Sequence, residues 1–261
     1  MDIVDRIRQD VPGEHSIISR SAKGIIRIKF KNDGLFLFDM KTHGYPQKKF
    51  VGHYLLRGGN WNTPEDLTPK DTYARELREE FKALDDVKDD GNTVRWLNNT
   101  IVENARPLAE YAYIIPPEVH GNVKKGIMSG VESIFHSEVD GDELVDRLGI
   151  LANGSTERTS RLTHALTVRS PESPAILISE IDLRAGKTTG YFAFGDEIIF
   201  GNYLRNMFGY RTQIPIRAGV VKEETRASTP LTPHAEVPYL DLLHVNPIRE
   251  GKSPDSKVYT P

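Results

Sequence analysis

The 261-residue sequence contains no cysteine. Disulfides, zinc–thiolate centres and thiol nucleophiles are thereby excluded, and the absence fits a cytoplasmic setting. Long apolar runs are also missing. None reaches the ~18 residues needed to cross a bilayer, so no membrane span is expected. Met1 to Asp10 is charged and has no apolar stretch of the kind a secretory signal needs. Nor is there an excess of charge of one sign. The 34 Lys and Arg against 37 Asp and Glu leave a formal net charge of −3, which argues against a dedicated nucleic-acid-binding protein. The eight histidines show neither HxH nor HxxxH spacing, so no histidine metal site is expected. A Gly-Xaa-Ser-Xaa-Gly elbow and a P-loop glycine pattern are absent as well.

Ordinary globular features fill the chain. Hydrophobic residues make up 38% and charged residues 27%, enough for one large domain or one domain with an insertion. Residues 1–20 are expected as an N-terminal segment with a helix over Asp2 to Val11. Residues 21–245 are expected as the domain, with an insertion after about 115, and 246–261 as a flexible tail. Gly24 to Phe30 alternates apolar and basic residues, as a half-buried strand does. The Asn32-Asp33-Gly34 turn leads to a partner strand over Leu35 to Met40. Phe50 to Leu56 reads as a third strand ending at Arg57-Gly58-Gly59, and Pro107 to Ile115 as a fourth. Val131 to Leu148 has helical character. Strands are expected over Leu162 to Val168, Ala175 to Leu183, Tyr191 to Phe194 and Val237 to Val245, and a helix over Asp196 to Met207. The basic stretch Lys41, His43, Lys48 and Lys49 reads as a solvated loop, and Lys222 to His234 as a linker.

The chemistry points to a helix over Pro69 to Leu84. Thr68 is a suitable N-cap, Pro69 suits the first helical position, and Asp71 can close a capping box. At about 100° per residue, Glu76, Glu79 and Glu80 fall within an arc of roughly 100°. They flank an apolar stripe of Ala74, Leu77, Phe81 and Leu84. Glu76 and Glu80 form an i,i+4 like-charge pair, which is unfavourable unless something compensates it. A hard divalent cation such as magnesium or manganese would do so. Gly58-Gly59 would let the backbone approach a ligand and offer a carbonyl. The structural alternative is an amphipathic surface helix laced by salt bridges such as Arg75–Glu79.

Leu55-Leu56-Arg57-Gly58-Gly59 followed by Thr68 to Glu80, with its core Arg75-Glu76-Leu77-Arg78-Glu79-Glu80, resembles the box of the Nudix hydrolase family. With the flanking strands the likeness spans roughly Gly24 to Ile115. The resemblance implies an α/β fold: a Nudix-like α/β/α sandwich with a mixed sheet and, here, a large C-terminal elaboration. It implies magnesium- or manganese-dependent hydrolysis of a diphosphate linkage in a nucleoside diphosphate joined to another moiety. Nucleotide sugars, dinucleotides, coenzymes and capped RNA belong to that class, and a homodimer is a common assembly. Glu76, Glu79, Glu80 and the Gly59 carbonyl would hold the metal, and Arg75 would orient a glutamate. Arg57 and Trp61 are candidates for binding substrate. Glu132, Glu138 and Asp140 are candidates for a distant general base. Three departures stand out. Nine residues rather than seven separate Glu65 from Arg75, Lys82 stands in place of a Gly, and Arg57 in place of a Pro. The altered spacing leaves the role of Glu65 open. It also motivates an alternative, a catalytically silent Nudix-like module that binds a nucleotide or a partner.

Overall fold

A computed structural model describes residues 15–43, 51–62, 64–115, 127–184, 191–192, 196, 199–201, 203–204 and 243–244. Its organising element is a long first strand, β1 (His15–Lys29). Beyond Arg20 its side chains alternate between two cores. Ala22, Ile26 and Ile28 face one, and Ile25 faces the other. The next strand, β2 (Gly34–Met40), divides in the same way, with Leu35 and Leu37 on one face and Phe36 and Phe38 on the other. Both faces of the sheet are therefore covered, and the chain forms the expected α/β/α sandwich.

The other strands are β3 (His53–Leu55), β4 (Arg57–Asn60), β5 (Arg106–Ile115), β6 (Ile127–Asp140), β7 (Ala175–Ser179), β8 (Tyr191–Phe192) and β9 (Leu243–His244). They order as β8-β3-β2-β1-β6-β5-β9, with β4 also paired to β1 and β7 to β2. The sheet is mixed. β6 runs parallel to β1 over nearly its whole length, whereas β2 and β4 pair with β1 antiparallel. The expected β1–β2 hairpin closes with the Phe30 N–H donating to the Asp33 carbonyl at 2.8 Å.

Helices α1 (Pro69–Glu80), α2 (Asp90–Glu103), α3 (Gly141–Arg147), α4 (Ser155–Val168) and α5 (Glu180–Arg184) complete the layers, together with helical residues at 196, 199–201 and 203–204. Tyr73 and Leu77 of α1, Val94, Leu97 and Ile101 of α2, and Leu162 and Leu166 of α4 bury against one sheet face. Leu183, Phe192, Ile199, Phe200, Tyr203 and Leu204 cover the other. Polar contacts help hold that second layer. Asp196 accepts from Lys23 Nζ at 2.7 Å and from the Leu56 N–H at 2.8 Å. Tyr203 Oη lies 3.0 Å from Nε2 of His136, whose pKa burial lowers to about 4.

Several expectations need correction. Val131 to Leu148 is not a helix: β6 occupies it to Asp140, and only α3 follows. β6 lies between β1 and β5 in the sheet, so the chain after Ile115 contributes to the core. Leu162 to Val168 belongs to α4, and the strand from Ala175 stops at Ser179 before α5. The 20/21 boundary falls inside β1. Gly58 and Gly59 lie within β4 rather than ending a strand. Helix α2 fills a stretch for which no element was expected. The expected helix over Asp2 to Val11, the linker over Lys222 to His234 and the tail from 246 lie outside the described residues, as do Lys48 and Lys49. No helix among the described residues is long and apolar enough to cross a membrane.

Candidate metal centre

Helix α1 starts as the sequence requires. Thr68 Oγ1 accepts from the Asp71 N–H at 3.2 Å, and Asp71 Oδ2 accepts from the Thr68 N–H at 2.8 Å, which closes the capping box. The helix ends earlier than the periodicity predicts, because Phe81 turns to an extended conformation (φ −103°, ψ 118°). Tertiary partners take the next amides: Lys82 N–H donates to the Arg169 carbonyl and Leu84 N–H to the Asp90 carboxylate.

The register between α1 and β4 builds the site. Two strand residues advance about 6.6 Å, and four helix residues about 6 Å. Gly59 and Arg57, two apart, therefore meet Glu76 and Glu80, four apart. A Cβ on Gly59 would fall 2.3 Å from the Glu76 carboxyl carbon, so the bare backbone is what admits this side chain. Gly58 has a different reason. Its φ is +136°, and a Cβ there would lie 2.1 Å from the Ala22 carbonyl oxygen.

Arg75 gathers the acids. It donates through Nε and Nη2 to the two carboxylate oxygens of Asp66 at 3.1 and 3.0 Å, and through Nη1 to Glu79 at 3.1 Å. Its Nη2 stands 2.9 Å from Glu76 and donates to the Asn60 carbonyl at 2.7 Å. These charge-assisted bonds fix the loop before α1 to the helix. They also hold the Asp66 carboxyl below the usual carboxylate range.

The acids of the loop before α1 differ in their surroundings. Glu65 is exposed and accepts from Asn62, and Leu67 is 81% exposed. Asp66 is buried and is the loop acid that Arg75 holds. Spacing from Gly59 points to its neighbour Glu65 and does not single out Asp66.

The three glutamates have different surroundings. Glu79 is half exposed and rests on Arg75. Glu76 lies between Arg75 and Gly59, and burial raises its pKa, an effect that Arg75 opposes. Glu80 turns inward. Burial, with the neighbouring Asp39 charge adding to it, raises its carboxyl well above the ordinary range. Glu80 Oε2 is enclosed and has no hydrogen-bond partner. Among the described residues no three carboxylates or imidazoles surround one point as a closed metal site would. The donor set is nonetheless of the right chemistry for a hard cation: oxygen only, with one buried oxygen unpaired and one carboxylate against a bare backbone.

Arg57 is corrected as a substrate-binding candidate. It is fully buried, its Cζ lies 4.0 Å from the Phe81 ring centroid, and Nη2 donates to Ser170 Oγ at 2.9 Å. Trp61 stays half-buried with Arg20 over its ring. The distant acids are each engaged elsewhere. Glu132 pairs with Lys23 on the sheet face opposite α1, Glu138 pairs with Arg27, and Asp140 caps α3 through the Glu143 N–H.

No family model matches the chain, and no curated protein matches it. Solved structures resemble parts of its fold. A MutT/nudix family protein from Enterococcus faecalis is 15% identical with a TM-score of 0.30, over 53% of this chain and 44% of that one. The NUDIX domain of Shewanella oneidensis NrtR complexed with ADP ribose is 11% identical with a TM-score of 0.30, over 54% and 72%. The C. elegans Ap4A hydrolase is 15% identical with a TM-score of 0.26, over 47% and 70%. The chain thus spans less than half the length of the Enterococcus faecalis protein.

Proposed function

We propose that this chain is a Nudix-type pyrophosphohydrolase, which uses magnesium or manganese to cleave the diphosphate linkage of a nucleoside diphosphate joined to another moiety. The observation that carries the reading is the meeting of Gly59 with Glu76 and of Arg75 with Asp66, Glu76 and Glu79. A merely solvated acidic helix has no need to press a carboxylate against a glycine strand, or to leave a buried glutamate oxygen unpaired.

Glu76, Glu80 and the Gly59 carbonyl would hold the metal, with Glu79 on the solvent side. A bound divalent ion supplies charge neutralisation of the diphosphate and a lowered pKa for an attacking water. Arg75 positions its three acids so that their carboxylates are set before substrate arrives, which spares reorganisation during the reaction. Asp66 fixes Arg75 in turn. Trp61, beside the glycine strand, is the side chain offered for stacking on a nucleobase.

The test is a panel of nucleotide sugars, dinucleoside polyphosphates and dinucleotide coenzymes, followed by phosphorus NMR with and without magnesium. We expect metal-dependent release of a nucleoside monophosphate or phosphate from at least one member, abolished by a chelator. Turnover of none by the folded chain would favour the silent binding module instead.

A further inference from the structure

Behind Glu80 lies a buried charge arrangement for which the hydrolytic reading has no use. Arg57, in the place where the resemblance expects a proline, is enclosed among Phe81, Ser170 and two carboxylates. The two acids share one cation unequally. Asp39 Oδ1 stands 2.6 Å from Arg57 Nη2, whereas Glu80 Oε2 stands 3.6 Å from Nη1, and the two carboxyl groups neighbour each other. Asp39 is itself buried, so this pairing is not diluted by solvent. Coulomb attraction falls with distance, and the shorter contact takes the larger share of the guanidinium charge.

From this geometry we infer that Asp39 is a positioning residue. By neutralising Arg57 it keeps the guanidinium from closing on Glu80, and so leaves the Glu80 carboxylate without a close cationic competitor when a divalent cation binds. The inference rests on the metal-dependent reading above. It gives Arg57 and Asp39 a joint role that neither has alone. Arg57 braces the back of the site through Phe81 and Ser170, and Asp39 prevents that brace from competing with the metal.

Opposite signs distinguish this role from simple scaffolding. In Asp39→Ala, Arg57 is left, among the described residues, with Glu80 as its acidic partner, and a metal must displace it. In Arg57→Met, the competing cation is gone. A scaffold would lose metal affinity in both variants, because each loses a buried partner.

The experiment titrates manganese chloride into the full chain and reads the thermal unfolding midpoint, which rises by mass action when the folded state binds metal. Glu80→Gln serves as the reference. We expect the half-saturating manganese concentration to rise about tenfold in Asp39→Ala and to fall several-fold in Arg57→Met, in line with couplings of close buried charges. In the Arg57→Met background, adding Asp39→Ala should change it less than about threefold. The inference is overturned if both single variants weaken binding, if Asp39→Ala leaves it unchanged, or if Asp39→Ala weakens it equally in both backgrounds. Should Asp39→Ala fail to fold, Arg57→Met decides: tighter binding supports the role, and unchanged or weaker binding overturns it. No manganese response in the wild-type chain would instead remove the metal reading on which the inference rests.

Discussion

Glu80→Gln is expected to lower turnover on the order of 100- to 1,000-fold while leaving thermal stability unchanged or higher. The rate loss follows from removing one full negative charge from the proposed metal centre, where Gln keeps the shape but binds a divalent cation poorly. The stability expectation follows from burial. Desolvation and the Asp39 charge raise the Glu80 carboxyl above its ordinary range. Its favourable contribution to folding is therefore present when it is protonated at low pH, and is lost as pH rises through the raised value. At neutral pH the glutamate is held at a cost, and neutral Gln relieves it. Steady-state rates and metal-free melting curves on the same preparation check both halves. Near-normal turnover would remove Glu80 from the site, and a collapsed fold would mean its role is structural.

Asp90→Ala is expected to cost about 3–5 kcal/mol, because it strands a buried cation. Asp90 Oδ1 accepts from Arg169 Nε at 2.8 Å and from Nη2, and Oδ2 accepts from the Leu84 N–H at 2.7 Å. The Arg169 carbonyl in turn accepts from the Lys82 N–H. One acid thus ties the exit of α1, the start of α2 and the end of α4 together. At roughly 2–4 °C per kcal/mol for a chain of this size, melting should fall by roughly 6–20 °C. Asp90→Asn should lose less, since it keeps the volume and an acceptor for Leu84. A melting temperature within a degree or two of wild type for Asp90→Ala would show that the cluster is relaxed by solvent.

Local signals were the legible ones. The Thr68–Asp71 box, Pro69 and the Asn32-Asp33-Gly34 turn act over three or four residues, and the structure forms each where the pattern predicts it. The Arg75–Glu79 pair is local too. Partners distant in the chain left no such mark. Asp90 reads as one more acid in a charged run, yet its partner Arg169 is 79 residues away. Asp66 hides behind Glu65, because counting from Gly59 reaches Glu65, whereas the acid bonded to Arg75 is the next residue. Arg57 reads as a polar residue beside glycines, with no hint that β4 turns it beneath Phe81.

The misread elements have a common physical cause. Val131, Ile134, Phe135 and Val139 fit the i, i+3, i+4, i+8 spacing of a helical stripe. Yet Ile134 lies in one core, and Phe135 and Val139 in the other. A central strand buried on both faces loses the polar–apolar alternation by which strands are recognised. Thr163, Thr167 and Val168 are β-branched, a residue type that favours strands, but Leu162 and Leu166, one turn apart, bury α4 in the core. The pairing of Arg57 with Glu80 and of Gly59 with Glu76 could in principle be found by setting strand spacing against helix spacing. That requires knowing beforehand that α1 packs on β4.

Diffraction from crystals grown in manganese, with anomalous scattering used to locate the ion, bears most directly on the proposed metal centre. The account predicts one strong peak within coordination distance of the Glu76 and Glu80 carboxylates and the Gly59 carbonyl, with Arg57 still held by Asp39. A manganese-bound crystal with its ions elsewhere, Glu76 still on Arg75 and Glu80 still turned toward Arg57, would contradict it.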